Sequence, residues 1–216
     1  VLSFVTSWIV LHLFLGDNPL FRVPTYHLIS SGELLLYALL GVVGGFVSVA
    51  FVRLLLTLRE RFARLPQRTQ WVQPVVGGLT VGIMGFFVPQ VMGVGYDQVE
   101  SVLGGNVVLK MVILLGVMKL VATAVCYASG NAGGIFGPSL FLGAMTGAAV
   151  GSVAHNLMPT ATAGPGAYAL VGMGTAFAGI IRTPLTAGLV IFELTRVYSI
   201  ILPRLISISL AFYILT

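Results

Sequence analysis

A glycine-rich segment inside apolar sequence constrains this chain more than any other feature. Residues 129–138 read Ser-Gly-Asn-Ala-Gly-Gly-Ile-Phe-Gly-Pro, with four glycines and one proline in ten positions. Irregular backbone of this kind leaves N–H groups unpaired. In hydrocarbon each unpaired group costs several kcal/mol, so such backbone persists only where it lines a cavity or contacts a polar ligand. The segment is therefore expected to interrupt a membrane-embedded helix.

The sequence after this segment predicts a helix that starts at an anion site. Pro138 opens the apolar run Ser139–Met158, and proline is well tolerated in a first helical turn because its missing N–H is not needed there. A helix N-terminus carries partial positive charge and free N–H groups, which favour a bound anion. We therefore expect an anion to bind where the run 134–138 begins the helix.

The composition indicates a membrane protein. Of the 216 residues 57% are hydrophobic and only 8% are charged, whereas soluble domains carry about 25% charged residues. The 27 glycines are typical of polytopic helical proteins, in which small residues let helix backbones approach closely. The composition thus predicts an all-α, multi-pass membrane protein rather than a water-soluble fold.

The basic residues are concentrated between two predicted spans. Five arginines fall within residues 53–68, opposed only by Glu60. This pattern is typical of a cytoplasmic loop under the positive-inside rule, with anionic-lipid contact as a minor addition. Nucleic-acid binding is not expected. The single cysteine, Cys126, excludes an intramolecular disulfide and a cysteine-based metal site.

Apolar runs and breaking residues predict nine helical segments. Several are shorter than the roughly twenty residues needed to cross a bilayer, and 93–105, which carries Asp97 and Glu100, is expected to be re-entrant or interfacial. Thr183 is expected to cap a helix that starts at Pro184. The predicted segments are Val1–Leu15, Glu33–Leu58, Trp71–Val88, Gly93–Gly105, Val107–Ser129, Pro138–Met158, Ala167–Ile181, Leu185–Thr195 and Ile200–Leu215.

Two glycine spacings predict close helix contacts. Gly78 and Gly82 are four residues apart, and Gly143, Gly147 and Gly151 continue the same spacing on another helix. Residues four apart share one helix face, so each set forms a small-residue surface. Many short helices broken by glycine or proline are typical of channels and transporters.

The sequence resembles the CLC family of chloride channels and proton-coupled chloride antiporters. The family's GxFxP signature is similar to residues 134–138, and a Ser-Gly-x-x-Gly lead-in precedes it from Ser129. A second similar block comprises residues 172–174, 181–186 and 192–195. The order and lengths of the spans agree with the family over nearly the whole chain.

The resemblance implies a fold, an activity and a site. It implies one half of an inverted-repeat CLC-type fold with tilted and broken helices, in a homodimer with one pore per subunit in the cell (inner) membrane. Chloride would be bound by backbone amides at Ile135 and Phe136, with Gly134, Gly137 and Pro138 completing the signature. The implied activity is chloride transport, as a channel or a proton/chloride antiporter, without catalysis and with no cofactor besides the transported chloride. The implied partners are chloride, protons and the lipid bilayer.

Two signatures of the family's first half, a GSGIP-like turn and a GxEGP segment with the gating glutamate, do not occur in residues 1–216. The pore tyrosine that follows the family's last span is also missing. We therefore expect residues 1–216 to form one transmembrane unit, made of one helix of the first repeat and most of the second. Channel and antiporter both remain open, because the gating glutamate decides between them.

Three charged residues in apolar sequence are candidate site residues. Lys119 is either a vestibule charge that attracts anions or a side chain that snorkels to the interface. Arg182 is expected at an aqueous vestibule or at the carbonyls of a helix C-terminus. Glu193 is a functional candidate by its location, although a structural carboxylate paired with Arg182 or Arg196 is the favoured interpretation.

Two alternatives come from other functional classes. An intramembrane enzyme could use the same amides as an oxyanion or phosphate site, but the nearest nucleophiles, Ser129 and Ser139, have no histidine beside them in sequence. No Ser/His/Asp, Cys/His or paired-carboxylate arrangement is visible. A non-transporting membrane scaffold would give the glycine-rich break no purpose.

Overall fold

The described part of the chain folds into nine α-helices and no β-strand. The computed structural model describes residues 2–16, 21, 23–24, 26, 32–66, 69–106, 108–159, 162–195 and 201–215. The helices are α1 (Leu2–Leu15), α2 (Glu33–Ala63), α3 (Gln73–Phe87), α4 (Tyr96–Leu103), α5 (Leu109–Ala128), α6 (Phe136–Leu157), α7 (Pro165–Ile181), α8 (Pro184–Thr195) and α9 (Ile201–Leu215). The prediction of an all-α chain is confirmed.

Of the described helices, three are long and apolar enough to cross a membrane. They are α2 with 31 residues, α5 with 20 and α6 with 22. At a rise of about 1.5 Å per residue, α2 is about 45 Å long and exceeds a hydrocarbon core of about 30 Å. It must therefore tilt or protrude. The helices α7 and α8 are shorter apolar elements, as the sequence predicted. Helix α3, which was expected to be a span over Trp71–Val88, is also shorter, with 15 residues.

The core of the fold is the contact between α6 and α7. Gly143, Gly147 and Gly151 face α7, and a Cβ added at Gly147 would overlap the carbonyl oxygen of Tyr168. In the same contact, a Cβ added at Gly172 of α7 would overlap the carbonyl oxygen of Gly143. The predicted small-residue surface of α6 is confirmed, and it lets the two backbones touch.

Helices α2 and α9 cover the other side of α7. The backbone of Gly41 approaches Ser207, and that of Gly44 approaches Thr175. The Thr175 hydroxyl donates a hydrogen bond to Ser207 Oγ at 3.0 Å. Residues 166–180 of α7 are consequently all buried, which fixes α6 and its N-terminus relative to the other helices.

Several predicted helix ends differ from the structure. Helix α6 begins at Phe136, two residues before Pro138, because proline is accepted anywhere in a first turn and not only at its first position. Helix α2 continues past Leu58 to Ala63, since its arginines are good helix formers and can lie outside the membrane. Helix α7 begins at Pro165 rather than Ala167.

The contact surface expected at Gly78 and Gly82 is not found among the described residues. A Cβ at either position would meet no described atom within 4 Å. The close contacts of α3 instead involve Gly77, which approaches the Ser129 side chain, and Gly85, which approaches Met92. Both pairs of glycines lie in the same helix, so the sequence alone does not indicate which pair faces its neighbours.

Two arginines considered in the sequence analysis lie outside the described residues. They are Arg68, the last arginine of the basic stretch, and Arg196, an expected partner of Glu193.

Candidate anion-binding site

The glycine-rich segment leads into a helix N-terminus with unpaired amides. Ile135 is the N-cap of α6 (φ −95°, ψ −11°), and its carbonyl accepts the first bond of the helix from the Ser139 N–H at 3.0 Å. Within the described residues, the amides from Gly133 to Gly137 donate to no backbone carbonyl. The first N–H groups of a helix have no intrahelical acceptor, so this end offers several donors to an external ligand.

The segment before α6 is held by side chains. Asn131 Nδ2 lies 3.1 Å from the Pro74 carbonyl oxygen and 3.1 Å from Ser129 Oγ. Ser129 Oγ in turn donates to the Cys126 carbonyl at 3.0 Å. Gly130 has φ +84°, a left-handed conformation that glycine adopts without steric cost. The turn that positions the free amides is therefore fixed to both α3 and α5.

An open cavity of about 450 Å³ lies against this segment. It is bounded by α5, by the glycine-rich segment and by the stretch between α3 and α4. Gly137 is in contact with Val94, since a Cβ at Gly137 would reach the Val94 side chain. The lining residues are Val81, Val91, Met92, Gly93, Val94, Tyr96, Lys119, Ala122, Thr123, Cys126, Tyr127, Ala132, Gly133, Gly134, Gly137 and Pro138.

The side chains of Ile135 and Phe136 each contact another helix, although Phe136 remains 41% exposed. The Phe136 ring meets Phe177 edge to face, with centroids 5.0 Å apart. Ile135 packs against a small apolar cluster that includes Phe51 and Leu142. Ile135 and Phe136 are not among the residues that line the cavity, which meets this segment at Gly133, Gly134, Gly137 and Pro138. Apart from the amides, the segment 133–138 has no polar group, because all of its side chains are apolar or absent.

Lys119 lies in the wall of the same cavity and is only 3% exposed. Its Nζ donates hydrogen bonds to the carbonyl oxygens of Val91 at 2.9 Å and Gly93 at 2.5 Å. The ammonium also lies 5.1 Å from the Phe141 ring centroid, a cation–π distance. The side chain thus ties α5 to the segment before α4 and places a positive charge beside the glycine-rich segment.

Arg182 and Glu193 do not line the cavity. Arg182 ends α7 with a left-handed conformation (φ 61°), and its backbone N–H donates to the Ala178 carbonyl at 2.9 Å. Both side chains are exposed. No described residue forms an ion pair with Glu193, and its other expected partner, Arg196, lies outside the described residues.

Several cavity residues were not predicted from the sequence. Thr123 and Tyr127 follow Lys119 at intervals of four on α5, so they share its helix face. The sequence alone therefore indicates that Thr123 and Tyr127 lie on the same face of α5 as Lys119. Val94 and Tyr96 could not have been found in this way, because tertiary contact alone brings them to α5 and α6.

The arrangement near the glycine-rich segment lacks the parts of a hydrolytic site. Ser139 Oγ donates to the Phe136 carbonyl at 2.7 Å, and Ser129 Oγ is committed to Cys126. His155 contacts Thr162 near the other end of α6. Among the described residues, no group of histidine, cysteine and acidic side chains could hold a metal ion. The intramembrane-enzyme alternative therefore has no support here.

Comparison with known proteins identifies the family. The voltage-gated chloride channel family matches the sequence over residues 1–216. The chain belongs to this family, the CLC proteins. Its members are channels and transporters rather than enzymes, and the family resemblance expected from residues 134–138 is confirmed.

Individual CLC relatives come from plants and bacteria. The chain is 38% identical to the chloride channel protein CLC-e of Arabidopsis thaliana over 99% of its length, which is 32% of the plant protein. It is 32% identical to the H(+)/Cl(-) exchange transporter ClcA of Vibrio parahaemolyticus, over 96% of this chain and 45% of the relative. The chain therefore spans less than half the length of these curated relatives.

Solved structures share the fold. A slow cyanobacterial Cl-/H+ antiporter matches with a TM-score of 0.89 and 27% identity, over 98% of this chain and 50% of the antiporter. A eukaryotic CLC transporter matches with a TM-score of 0.72 and 27% identity, over 86% of this chain and 33% of the transporter. The prediction that the chain has part of a CLC-type fold is confirmed.

Proposed function

We propose that the protein containing this chain transports chloride across a membrane, and that backbone amides at the start of α6 bind the ion. The observation that carries the proposal is the N-terminus of α6. Its amides from Gly133 to Gly137 have no backbone acceptor among the described residues, and Gly133, Gly134 and Gly137 line an open cavity. Within this group, the amides of Ile135 and Phe136 are the proposed ligands.

Main-chain donors suit a transported anion. A bare ion in a low-dielectric medium faces a Born cost of tens of kcal/mol, so it needs oriented dipoles around it. A helix end carries about half a positive charge, which attracts an anion without holding it as tightly as a full cation would. Conduction needs binding of that intermediate kind.

Lys119 contributes a full positive charge, and hydrogen bonds hold its side chain in place. Its Nζ is bonded to Val91 and Gly93, so in this proposal it acts from the cavity wall and does not coordinate the ion. It raises the potential inside the cavity and keeps the Val91–Gly93 carbonyls from facing the anion unpaired. Of the two roles expected for Lys119, a vestibule charge or a side chain that snorkels to the interface, we propose the first.

The proposal extends to the membrane, the assembly and the internal symmetry. Apolar side chains such as Leu79, Phe86 and Leu157 are exposed on the described surface, and they are suited to lipid contact in a cell membrane. The whole protein would be a homodimer with one pore per subunit. Residues 1–216 would supply one helix of the first inverted repeat and most of the second.

Ion flux from liposomes tests the proposal. The full-length protein is reconstituted in chloride-loaded liposomes. It is expected to release chloride once an ionophore lets other ions cross the membrane and balance the charge that leaves with the chloride. Simultaneous recording of external pH separates the two mechanisms, because an antiporter moves protons against chloride and a channel does not. Liposomes that hold their chloride with folded protein present would contradict the proposal.

A further inference from the structure

An arginine of α2 lies against an aromatic residue of the cavity wall. The Arg59 guanidinium carbon is 5.8 Å from the centroid of the Tyr127 ring, within the range of a cation–π contact. Arg59 is exposed, whereas Tyr127 is partly buried. The contact joins the C-terminal parts of α2 and α5, so α2 reaches the cavity wall through Tyr127.

Tyr127 connects this arginine to the anion site. It lines the cavity together with Gly133 and Gly134. Tyr127 and Ile135 also pack against the same apolar cluster, which includes Leu55. A charge stacked on Tyr127 is therefore one side chain away from the cavity, and the same apolar cluster lies between Tyr127 and the N-cap of α6.

The other arginines near this end of α2 do not share this position. Arg61 is exposed and, at 3.6 residues per turn, lies about 200° around the helix from Arg59. Arg64 lies 3.9 Å from Glu60, so part of its field is cancelled locally. Among these three exposed cations, Arg59 is the one held against the cavity wall.

We propose that Arg59 is the entrance cation of the anion cavity. It raises the local concentration of anions at the edge of Tyr127, from which they pass to the free amides of α6. A cleft lined by one sign of charge speeds the arrival of the opposite ion, and this effect weakens as salt rises. The inference rests on the proposed chloride transport and assigns a role in its entry step.

The expected effect is modest and depends on ionic strength. In water, a unit charge acting over about 10 Å changes the local concentration of an opposite ion about twofold. The screening length is about 30 Å at 10 mM salt and about 3 Å at 1 M. The contribution of Arg59 should therefore be present at low ionic strength and absent at high ionic strength.

A matched pair of variants tests this in the full-length protein. Arg59→Gln and Arg61→Gln remove the same charge from the same helix, and Arg59→Lys keeps the charge while losing the planar stack. Initial chloride flux is measured in liposomes at both salt concentrations. Arg59→Gln should lower flux about twofold at low salt and leave it unchanged at high salt, while Arg61→Gln and Arg59→Lys stay near the parent.

Three other results would contradict either the role of Arg59 or the proposed function. Equal flux in Arg59→Gln and Arg61→Gln at low salt overturns the entrance role. A loss in Arg59→Gln that persists at high salt also overturns it, because a positioning role of the Tyr127 ring would not be screened. Absence of chloride flux in the parent protein would instead contradict the proposed function itself.

Discussion

Asn131 links the glycine-rich segment to helix α3 through the carbonyl oxygen of Pro74, which lies 3.1 Å from its Nδ2. The same nitrogen lies 3.1 Å from Ser129 Oγ. The backbone amides that follow, from Gly133 to Gly137, make no backbone hydrogen bond within the described residues. The position of these free amides therefore depends on side-chain contacts, of which the Asn131 amide makes two.

Replacing Asn131 with leucine should weaken chloride binding without unfolding the protein. Leucine has a similar volume but donates no hydrogen bond, and a hydrogen bond contributes about 1 kcal/mol net, which corresponds to about a fivefold change in affinity. Calorimetry of chloride binding to the full-length protein measures the effect. Asn156→Leu, at an exposed position near the end of α6, is the control and should leave the affinity unchanged. Unaltered affinity in Asn131→Leu would show that the turn keeps its shape without this bond.

Alanine at Gly147 should destabilise the protein, whereas alanine at Gly82 should not. A Cβ at Gly147 overlaps the Tyr168 carbonyl, while one at Gly82 meets open space. Overpacking of a tight contact costs about 1–3 kcal/mol, and alanine in an open helical position gains up to about 1 kcal/mol over glycine. Thermal unfolding of the detergent-solubilised full-length protein compares the two. Equal unfolding temperatures would mean that α6 and α7 can separate at little cost.

These two glycines also mark how far the sequence could predict the fold. Apolar runs, prolines and the wide glycine face of α6 indicated the helices, because each is a local property of the chain. The spacing of Gly78 and Gly82 indicates a small-residue surface on α3, whereas Gly77 and Gly85 make the close contacts among the described residues. A helix that is apolar all round has no polar face to orient it, so the choice depends on neighbours distant in sequence.

The candidate site was predictable in its backbone part only. A run of glycines before a proline indicates a broken helix wherever it lies in apolar sequence. The bonds from Lys119 to the carbonyls of Val91 and Gly93 span more than twenty residues and leave no local pattern. Likewise, nothing local in α2 distinguishes Arg59 from Arg61, because the contact with Tyr127 is tertiary.

Lys119→Met should reduce both stability and chloride affinity. The substitution leaves the carbonyl oxygens of Val91 and Gly93 without their donor, and an unsatisfied buried polar group costs about 1–3 kcal/mol. It also removes the positive charge from the cavity wall. Lys110→Met, at an exposed position of the same helix, should change neither quantity. Thermal unfolding and calorimetry on the full-length protein report the two effects separately, and a Lys119→Met protein with parental values in both would refute this role.

The two ends of α2 should lie on opposite sides of the membrane. The helix has 31 residues, and its arginines at the C-terminal end favour the cytoplasmic side. Single cysteines placed at Gly32 and at Arg64, both exposed, in a Cys126→Ala background are labelled with an impermeant maleimide in intact cells. Only the cysteine at position 32 should react before the cells are opened. Labelling of both positions from outside would contradict the assignment of α2 as a membrane span.

We expect the main chain at Phe136, and not its ring, to bind the anion. An amide-to-ester replacement at this position in the full-length protein removes the N–H donor and keeps the side chain, while Phe136→Ala does the reverse. The ring meets Phe177 edge to face, so its loss should cost mainly packing. Calorimetry should find chloride affinity lowered about tenfold or more by the ester, as expected for a charge-assisted hydrogen bond of about 1.5–3 kcal/mol, and lowered much less by Phe136→Ala. Parental affinity in the folded ester variant, or an equal loss in both variants, would contradict the account.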